Sequence, residues 1–539
     1  PLPRPFFPLV AVSLTDNDVL PTILAFSDRE DHHNSHTSSL MFWSLVATSL
    51  LVIYIVAYFR RISRYPPGPL PLPLLGNLLS LNVKHPHKAI DEIGKKYGPV
   101  FTLWLPLPTV IITGLEEMKE AMIHKGDNFS GRPSTPTDSF FMNAPNGGII
   151  FSQGQEWKEQ RSFALAVLRS FGVGSSVIED MVHRSMDELF EHLDTLDLSS
   201  VDANWPVHLC VGNIVHQLLF GHIVKHAESG KMRYYQDIIE DAMKKVRSEP
   251  CVPLVQAYPW MCSLPYVGWR GYGEMRSVAL ELIHYVEDEI KNHQLEMASS
   301  PDDTASTLVG AYLEEMKKSE ANGSKDSFHM DNLVNTATDI WLAGMETAAT
   351  SIRWGLLLLT AHPEIQERLY EEIDKTIGKS GRRLTMNDKP SMPYASAFIY
   401  EVHRVANVVT FNVFRRNFED DSIAGHNVPA GTTILPQIST VMASDEYFDK
   451  ADRFDPERFL SRSSRGMELR KDVIDKVVAF SLGKRQCAGE ALARTEMFLV
   501  LLSIVQRFRL EPTENIDIEP VFGILQTPAP SKWRLVARN

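Results

Sequence analysis

The spacing of apolar residues divides the chain into four stretches. Residues 1–39 show no sustained helical or strand period. Residues 40–59, LMFWSLVATSLLVIYIVAYF, carry no charge, and a helix rising about 1.5 Å per residue needs roughly 20 such positions to cross the hydrocarbon of a bilayer. Residues 60–82 begin with Arg60, Arg61 and Arg64 and continue through Pro66-Pro67-Gly68-Pro69-Leu70-Pro71-Leu72-Pro73; the fixed φ of proline predicts a stiff, extended hinge. From 83 to 539 the apolar positions recur mainly at helical intervals. Helices are predicted over 333–360, 363–377, 394–404 and 488–509, and short strands over 100–105, 110–113 and 432–436. His362-Pro363-Glu364 supplies a helix start and Pro429-Ala430-Gly431 a turn. At roughly 150 residues per domain the length allows about three or four domains, but no linker, repeat or low-complexity run interrupts the last stretch. The expectation is one large body, mainly α with a small β region, behind a single membrane helix.

Charge gives the apolar segment a direction. Its C-terminal flank is basic, whereas the leader sets Arg4 and Arg29 against Asp16, Asp18, Asp28, Glu30 and Asp31. The side richer in Lys and Arg stays cytoplasmic, so the segment is expected to be a single-pass signal anchor in the endoplasmic reticulum membrane with the body in the cytosol. A cleaved secretory signal would be shorter and would carry its positive charge in front. The first methionine is Met41, so translation is expected to begin there and the leader to be an extension foreign to the native protein. In this topology the sequons Asn128-Phe129-Ser130 and Asn322-Gly323-Ser324 should stay unglycosylated.

Composition then removes classes of function. The formal charge of −13, from 54 Lys and Arg against 67 Asp and Glu, argues against a nucleic-acid binder. The four cysteines, Cys210, Cys251, Cys262 and Cys487, form no CxxC pair and suit a reducing compartment. Neither GxGxxG nor GxxxxGK[ST] occurs, so redox chemistry in this chain must draw its electrons from another protein.

Candidate chemistry concentrates in Phe480-Ser481-Leu482-Gly483-Lys484-Arg485-Gln486-Cys487-Ala488-Gly489, which opens the last predicted helix. A cysteine at a helix N-terminus meets the positive end of the dipole and unpaired N–H groups, both of which favour thiolate. Gly483 and Gly489 let the backbone approach a flat ligand without a Cβ, and Arg485 sets a cation where a carboxylate of that ligand would sit. Thiolate, flat apolar partner and carboxylate together describe haem. A lone cysteine before an apolar helix is more often a small core residue; its neighbours here reverse that balance. In the helix over 333–360, Ala343-Gly344-Met345-Glu346-Thr347 places a glycine, an acid and a hydroxyl among Ile340, Trp341, Leu342, Ile352 and Trp354. Thr347 can bond back to the carbonyl of Ala343, which bends a helix.

The pattern FxxGxRxCxG at 480–489 resembles the haem-binding signature of the cytochrome P-450 superfamily, every fixed position matched. The resemblance implies haem b with Cys487 as the axial thiolate of its iron, Phe480, Gly483, Arg485 and Gly489 beside it, and O2 as co-substrate. It covers the chain from the hinge to the C-terminus. Ala343-Gly344-Met345-Glu346-Thr347 is similar to the family's oxygen-activation motif, which implies proton delivery by Thr347 with Glu346 assisting. Glu401-Val402-His403-Arg404 matches ExxR and Phe454-Asp455-Pro456-Glu457-Arg458-Phe459 the PERF segment, implying a buried network of Glu401, Arg404 and Arg458. Trp157-Lys158-Glu159-Gln160-Arg161 resembles the WxxxR helix, in which indole and guanidinium contact haem propionates, and Arg415 stands where relatives carry a third propionate partner. Gly147-Gly148-Ile149-Ile150-Phe151-Ser152, Arg169-Ser170-Phe171-Gly172 and Leu264-Pro265-Tyr266-Val267-Gly268 look like the animal microsomal branch of drug-, steroid- and fatty-acid-oxidising enzymes. The implied fold is the family's single, mostly helical body.

Position in the family pattern also selects pocket candidates: Phe140, Phe141, Met142, Ile340, Ala343, Val409 and Leu525. Nearly all are apolar, so a lipophilic small molecule is the expected substrate. Arg462, Arg465, Arg470, Lys471 and Lys476, with Lys484, form a basic cluster in a chain of net negative charge. Such a patch suits an acidic flavoprotein, an NADPH-dependent reductase, with cytochrome b5 as a second donor. The leading expectation is a membrane-anchored mono-oxygenase. A haem-thiolate isomerase or dehydratase acting on peroxides and a non-catalytic haem sensor are the alternatives, and the intact Glu346-Thr347 pair disfavours the former.

Overall fold

The computed structural model of the chain describes residues 35–81, 85–170, 176–299, 307–323, 327–378, 381–464 and 466–538. Residues 1–34 of the leader, Phe171 and Gly172, Ser324 and Arg465 lie outside these residues. The chain forms two units, 1–63 and 64–539. The first contributes one helix, α1 (Ser35–Ile62). Its stretch Met41–Ile62 has a mean hydropathy of 2.0, none of it buried, and is long and apolar enough to cross a membrane. Arg60 and Arg61 sit in its last turn.

The second unit is mainly helical with small sheets. The helices that position the site are α2 (Gly154–Ser170), α3 (Asn204–Phe220), α4 (Glu274–Ser299), α5 (Leu308–Ala321), α6 (Met330–Ala361), α7 (Pro363–Ile377), α8 (Pro393–Ala406) and α9, which passes through Glu490–Glu496, a π-turn at Met497–Leu501 and Leu502–Arg507. α6 is buried along most of its length and packs against α3, α4, α8 and α9. It starts three residues before the apolar period suggests, because the ring of His329 accepts the N–H of Asn332 at 3.3 Å and caps the end. It stops at His362 (φ −128°, ψ 74°), since the ring of Pro363 disfavours helical backbone in the residue before it. α9 ends short of the predicted 509 because Phe508 turns extended and enters a strand.

One four-stranded sheet orders β1 (Val100–Leu105), β2 (Leu107–Ile112), β3 (Arg415–Arg416) and β4 (Thr433–Pro436) as β1-β2-β4-β3. β1 and β2 are antiparallel with Trp104 opposite Pro108, and β2 and β4 parallel with Val110 opposite Ile434. β3 runs antiparallel to β4, which fixes Arg415 opposite Ile434. Among the described residues, two-stranded ribbons complete the β part, one of them joining β5 (Phe508–Pro512) to β6 (Trp533–Ala537).

A polar stripe on α6 anchors the loop that faces the cysteine segment. Asn332, Asn335 and Asp339, at i, i+3 and i+7, share one face of an otherwise apolar helix. Asn332 Oδ1 accepts the N–H of Gly148 at 2.8 Å, and Asn335 Oδ1 those of Asn143 and Ala144 at 2.7 Å each. Asp339 Oδ2 accepts the N–H groups of Ile149 at 2.7 Å and Ile150 at 2.9 Å. Burial pushes the Asp339 carboxyl up to about 6, against those two N–H groups and Arg132, which pull it down.

The ExxR pair of α8 is closed on itself and on the PERF segment. Arg404 donates Nε to Glu401 Oε2 and Nη2 to Glu401 Oε1, both at 2.7 Å, and Arg458 donates Nε to Oε1 at 3.1 Å. The N–H of Asp455 adds a fourth bond to the carboxylate, at Oε1 and 2.8 Å. The remaining Arg404 donors reach the carbonyls of Met442 and Ala451 at 2.8 Å and of Arg453 at 3.0 Å, so all its N–H groups are used. Glu401 is 0% exposed and Arg404 3%. Removing one member of such a network strands the others as uncompensated charge in a dry site. Glu401→Gln is expected to cost about 3–5 kcal/mol of stability, read as a lowered thermal midpoint and loss of haem retention; an unchanged midpoint would refute the role.

Candidate functional site

The cysteine loop is built by its own backbone. Cys487 N–H bonds the carbonyl of Phe480 at 2.9 Å, closing 480–487 into a tight loop, and Gly483 within it has φ +69°. A Cβ on Gly483 would stand 1.8 Å from the carbonyl oxygen of Met122. Glycine is therefore demanded there by a neighbouring piece of backbone, apart from any approach to a flat ligand. A Cβ on Gly489 meets only Cys487 Sγ, at 4.0 Å, so that position keeps the ground beside the sulfur clear. Desolvation by the surrounding protein pushes the Cys487 thiol up, with Glu490 adding to the rise and the N–H of Gly489 and the Arg161 cation opposing it, so the helix N-terminus by itself does not win the thiolate. A cation bonded to the sulfur would.

Next to this loop the structure gathers positive charge. Arg485 is buried, donates to the carbonyls of Ser130 at 2.9 Å and Ser152 at 2.6 Å, and lies 3.7 Å over the ring of Trp157. Arg415, brought in by β3, donates Nη2 to Ser481 Oγ at 2.9 Å and to the carbonyl of Leu482 at 3.3 Å. Arg161, one turn after Trp157 on α2, bonds the carbonyl of Gln486 at 2.5 Å. Arg132 is buried beside them and bonds the carbonyls of Ile150 at 2.8 Å and Val413 at 3.1 Å. Burial, reinforced by Arg132, Arg415 and Arg161, drives Arg485 down to about 7; burial, Arg132 and Arg161 likewise push Arg415 well below its usual range. Trp157 Nε1 and Arg415 Nε are buried donors that make no hydrogen bond. Several cations and two unused donors on one side of a cysteine are the complement of a dianionic ligand lying over the sulfur. Haem, with its two propionates and a thiolate-binding iron, fits these residues.

On α6, Ala343 is exposed and Thr347 half-buried in the middle of a helix whose flanking turns are buried. Thr347 Oγ1 donates to the carbonyl of Ala343 at 2.6 Å, which leaves the hydroxyl oxygen free to accept. Glu346 is buried, 7% exposed, with Oε2 3.5 Å from His208 Nε2 of α3, and it adds its charge to the field at the buried Arg353 two turns along. The pocket candidates are all tied to α6. Ile340 and Ala343 are part of it; Phe141 hands its carbonyl to Asn335 Nδ2 at 3.0 Å, holding 140–142 nearby. The N–H of Gln526 bonds the carbonyl of Val408 at 2.8 Å and its carbonyl accepts Trp354 Nε1 of the same helix at 2.9 Å, next in the chain to Leu525 and Val409. Phe140 and Phe141 are buried in the main core, Phe140 stacking on Tyr272.

Arg132, His208 and Arg353 are site neighbours that apolar period and motif did not flag. Each is a charged or titratable residue in an apolar setting: Arg132 sits between Gly131 and Pro133, and His208 and Arg353 interrupt buried helices. That isolation was the available signal.

The cytochrome P-450 family model matches residues 66–535. The chain is 35% identical to cytochrome P-450 2C70 of Mus musculus over 474 residues, covering 86% of this chain and 92% of the relative. It is 32% identical to cytochrome P-450 2J2 of Homo sapiens over 507 residues and 33% identical to cytochrome P-450 2J3 of Rattus norvegicus over 505, in both cases covering 92% of this chain and 97% of the relative. With a family match over most of its length and a cysteine loop whose surroundings suit a haem, this chain belongs to the cytochrome P-450 family and is a haem-thiolate mono-oxygenase.

Proposed function

We propose that the protein oxidises a lipophilic small molecule at the endoplasmic reticulum membrane, its body held on the cytosolic side by the segment 40–59 and the hinge 60–82, with electrons drawn from NADPH through a separate reductase. The observation that carries the haem site is the pair of unused buried donors, Trp157 Nε1 and Arg415 Nε, set among guanidiniums beside Cys487. In this reading Cys487 ligates the iron, Trp157, Arg161, Arg415 and Arg485 hold the propionates, and Phe480, Gly483 and Gly489 shape the loop around the sulfur. When bound, the haem supplies reduction of O2 and transfer of one oxygen atom to substrate, the other leaving as water.

The chain's own residues bind, orient and move protons. Thr347 Oγ donates to Ala343 and offers its lone pairs toward the exposed face of α6, so it can accept a proton from water and pass one on. Glu346, its back against His208 and Arg353, is the proton store behind it. This pair favours mono-oxygenation over peroxide isomerisation, which needs no proton delivery. The apolar faces of Phe140, Phe141, Met142, Ile340, Ala343, Val409 and Leu525 bind the substrate and keep water from it.

The reductase is read as docking on the exposed basic surface of Arg462, Arg470 and Lys471, with Lys476 and Lys484 beside it. Arg470 is partly neutralised by Asp472 at 2.8 Å and Lys484 by Asp127, which leaves Arg462 and Lys471 as the stronger candidates for recognition. Cytochrome b5 would use the same face. The side chain of Asn128 is engaged in the fold: it donates to Asp421 Oδ2 at 2.9 Å and accepts the N–H groups of Phe418 and Glu419 at 2.9 Å.

The wild-type protein is expected to show the carbon monoxide difference band of a thiolate-ligated haem, and Cys487→Ser to lose it; a variant that keeps the band would remove Cys487 from the iron. Thr347→Ala should go on consuming NADPH while product per NADPH falls by roughly a factor of ten or more; an unchanged ratio would count against proton delivery by this hydroxyl. The double reversal Arg462→Glu, Lys471→Glu should slow reduction by the reductase roughly tenfold at low salt and spare peroxide-supported turnover. Equal loss of both would mean that the patch serves the fold.

A further inference from the structure

Well away from the cysteine loop in sequence, the C-terminal end of α3 and one face of α4 gather three imidazoles, a carboxylate and a phenol. His216 lies in the last turn of α3 and His222 just past it. Gly221, between them, caps the helix in the left-handed region at φ +86°, which no β-carbon-bearing residue would adopt without strain, and folds the chain back. The rings of His216 and His222 consequently meet edge to face with centroids 4.7 Å apart. From α4, Tyr285, Glu289 and His293 recur at four-residue intervals and so share a face. Tyr285 OH is 3.2 Å from His216 Nε2, and Glu289 Oε2 lies 4.0 Å from His216 Nε2 and 3.9 Å from His222 Nε2. His293 is already engaged with Thr307 Oγ1 at 2.9 Å, the residue that caps α5.

As a set of hydrogen-bonding groups this cluster is incomplete. At 3.9 and 4.0 Å neither imidazole reaches Glu289 with a hydrogen bond. His216 is 1% exposed, and Nδ1 of His216 and Nδ1 of His222 are both buried with no hydrogen-bond partner. Unpartnered polar groups in a dry site cost free energy that something must offset.

We infer that His216, His222 and Glu289 form a binding site for a divalent transition-metal ion of the zinc class, which ties the end of α3 to α4. One ligand atom from each of the three lies within 4.8 Å of the others. Tetrahedral zinc with bonds of about 2.0–2.1 Å separates its ligand atoms by roughly 3.3–3.5 Å, so closing the site asks for a shift of roughly half an ångström to an ångström and a half. His222, whose side chain is 41% exposed on the loop after α3, has the freedom to make it, and it also opens the path by which an ion enters. Two imidazoles and one carboxylate are a borderline-soft donor set that selects zinc and its neighbours over magnesium or calcium. Three protein ligands leave a fourth position for water. The site uses none of the residues assigned to haem, dioxygen or substrate.

The test is equilibrium dialysis of the haem-loaded full chain, stripped with chelator, against Zn2+ alone, with zinc and haem counted per chain. Wild type should take up one zinc per chain with saturation, and so should His284→Gln, which removes an exposed histidine elsewhere on α4. His222→Gln should bind on the order of a hundredfold or more weakly, since losing a ligand exceeds the ~10–100-fold typical of outer-shell changes. Zinc should raise the melting temperature of wild type and leave that of His222→Gln where it was, because only a ligand that binds the folded state stabilises it. Melting of the metal-free variants reports folding first; Glu289→Gln is the second variant, and if its buried position prevents folding, His222→Gln decides alone. Absence of saturable one-to-one zinc binding in wild type, or equal binding in His222→Gln, overturns the site.

Discussion

Positive charge taken out of water is the constraint that organises this protein around its cysteine. Arg132, Arg415 and Arg485 are each 6% exposed or less, and holding a guanidinium's charge at that depth is costly unless its donors are met. The fold meets that cost with main-chain oxygens. The carbonyls of Ser130, Ile150, Ser152, Val413 and Leu482 all turn toward these cations. Carbonyls committed in this way are withdrawn from regular ladders, which is why the segments nearest the cysteine are loops and single turns in a molecule otherwise built of long helices. Neutral oxygens solvate the cations without cancelling them, and the field that remains is what recognises an anion.

The second buried charge network shows the opposite design. Around Glu401 the carboxylate is met by Arg404 and Arg458 and the spare guanidinium donors by carbonyls, so the ledger of donors and acceptors closes within the protein. A closed network has nothing to offer a ligand, and it holds α8 to the segment leading into the cysteine loop. The open one leaves Trp157 Nε1 and Arg415 Nε unspent. Both contain buried arginines; satisfaction of the last donor separates scaffold from site.

α6 carries these arrangements to the substrate side. Its polar stripe at Asn332, Asn335 and Asp339 fixes the loop 143–150, its middle turn presents Ala343 and Thr347, and Trp354 near its end holds Gln526. Because side chains on a helix are spaced by turns, one rigid element sets the register of loop, groove and C-terminal ribbon together. A slip of one residue would turn all three away at once. His208 of α3 and Arg353 of α6 then place Glu346 from behind, which couples the acid to the packing of α3 on α6.

Much of this was legible in the residues. The apolar period located α6, α7 and α8 and the mainly helical class, because burial stripes are a local property of the chain. The pattern around Cys487 announced haem, since sulfur, glycine and arginine at fixed spacing have few other uses together. Sequence did not reveal why Gly483 must be glycine: the carbonyl that excludes a Cβ belongs to Met122, far away in the chain. Nor did it rank the forces on the thiol, where burial outweighs the helix terminus. His208 and the imidazoles of His216 and His222 were ordinary residues until packing against 285–289 and 346 gave them neighbours, as the carbonyls of Ile150 and Val413 did for Arg132. Motifs and periods are short-range and survive in one dimension; desolvation and the meeting of side chains from distant elements exist only once the chain has folded.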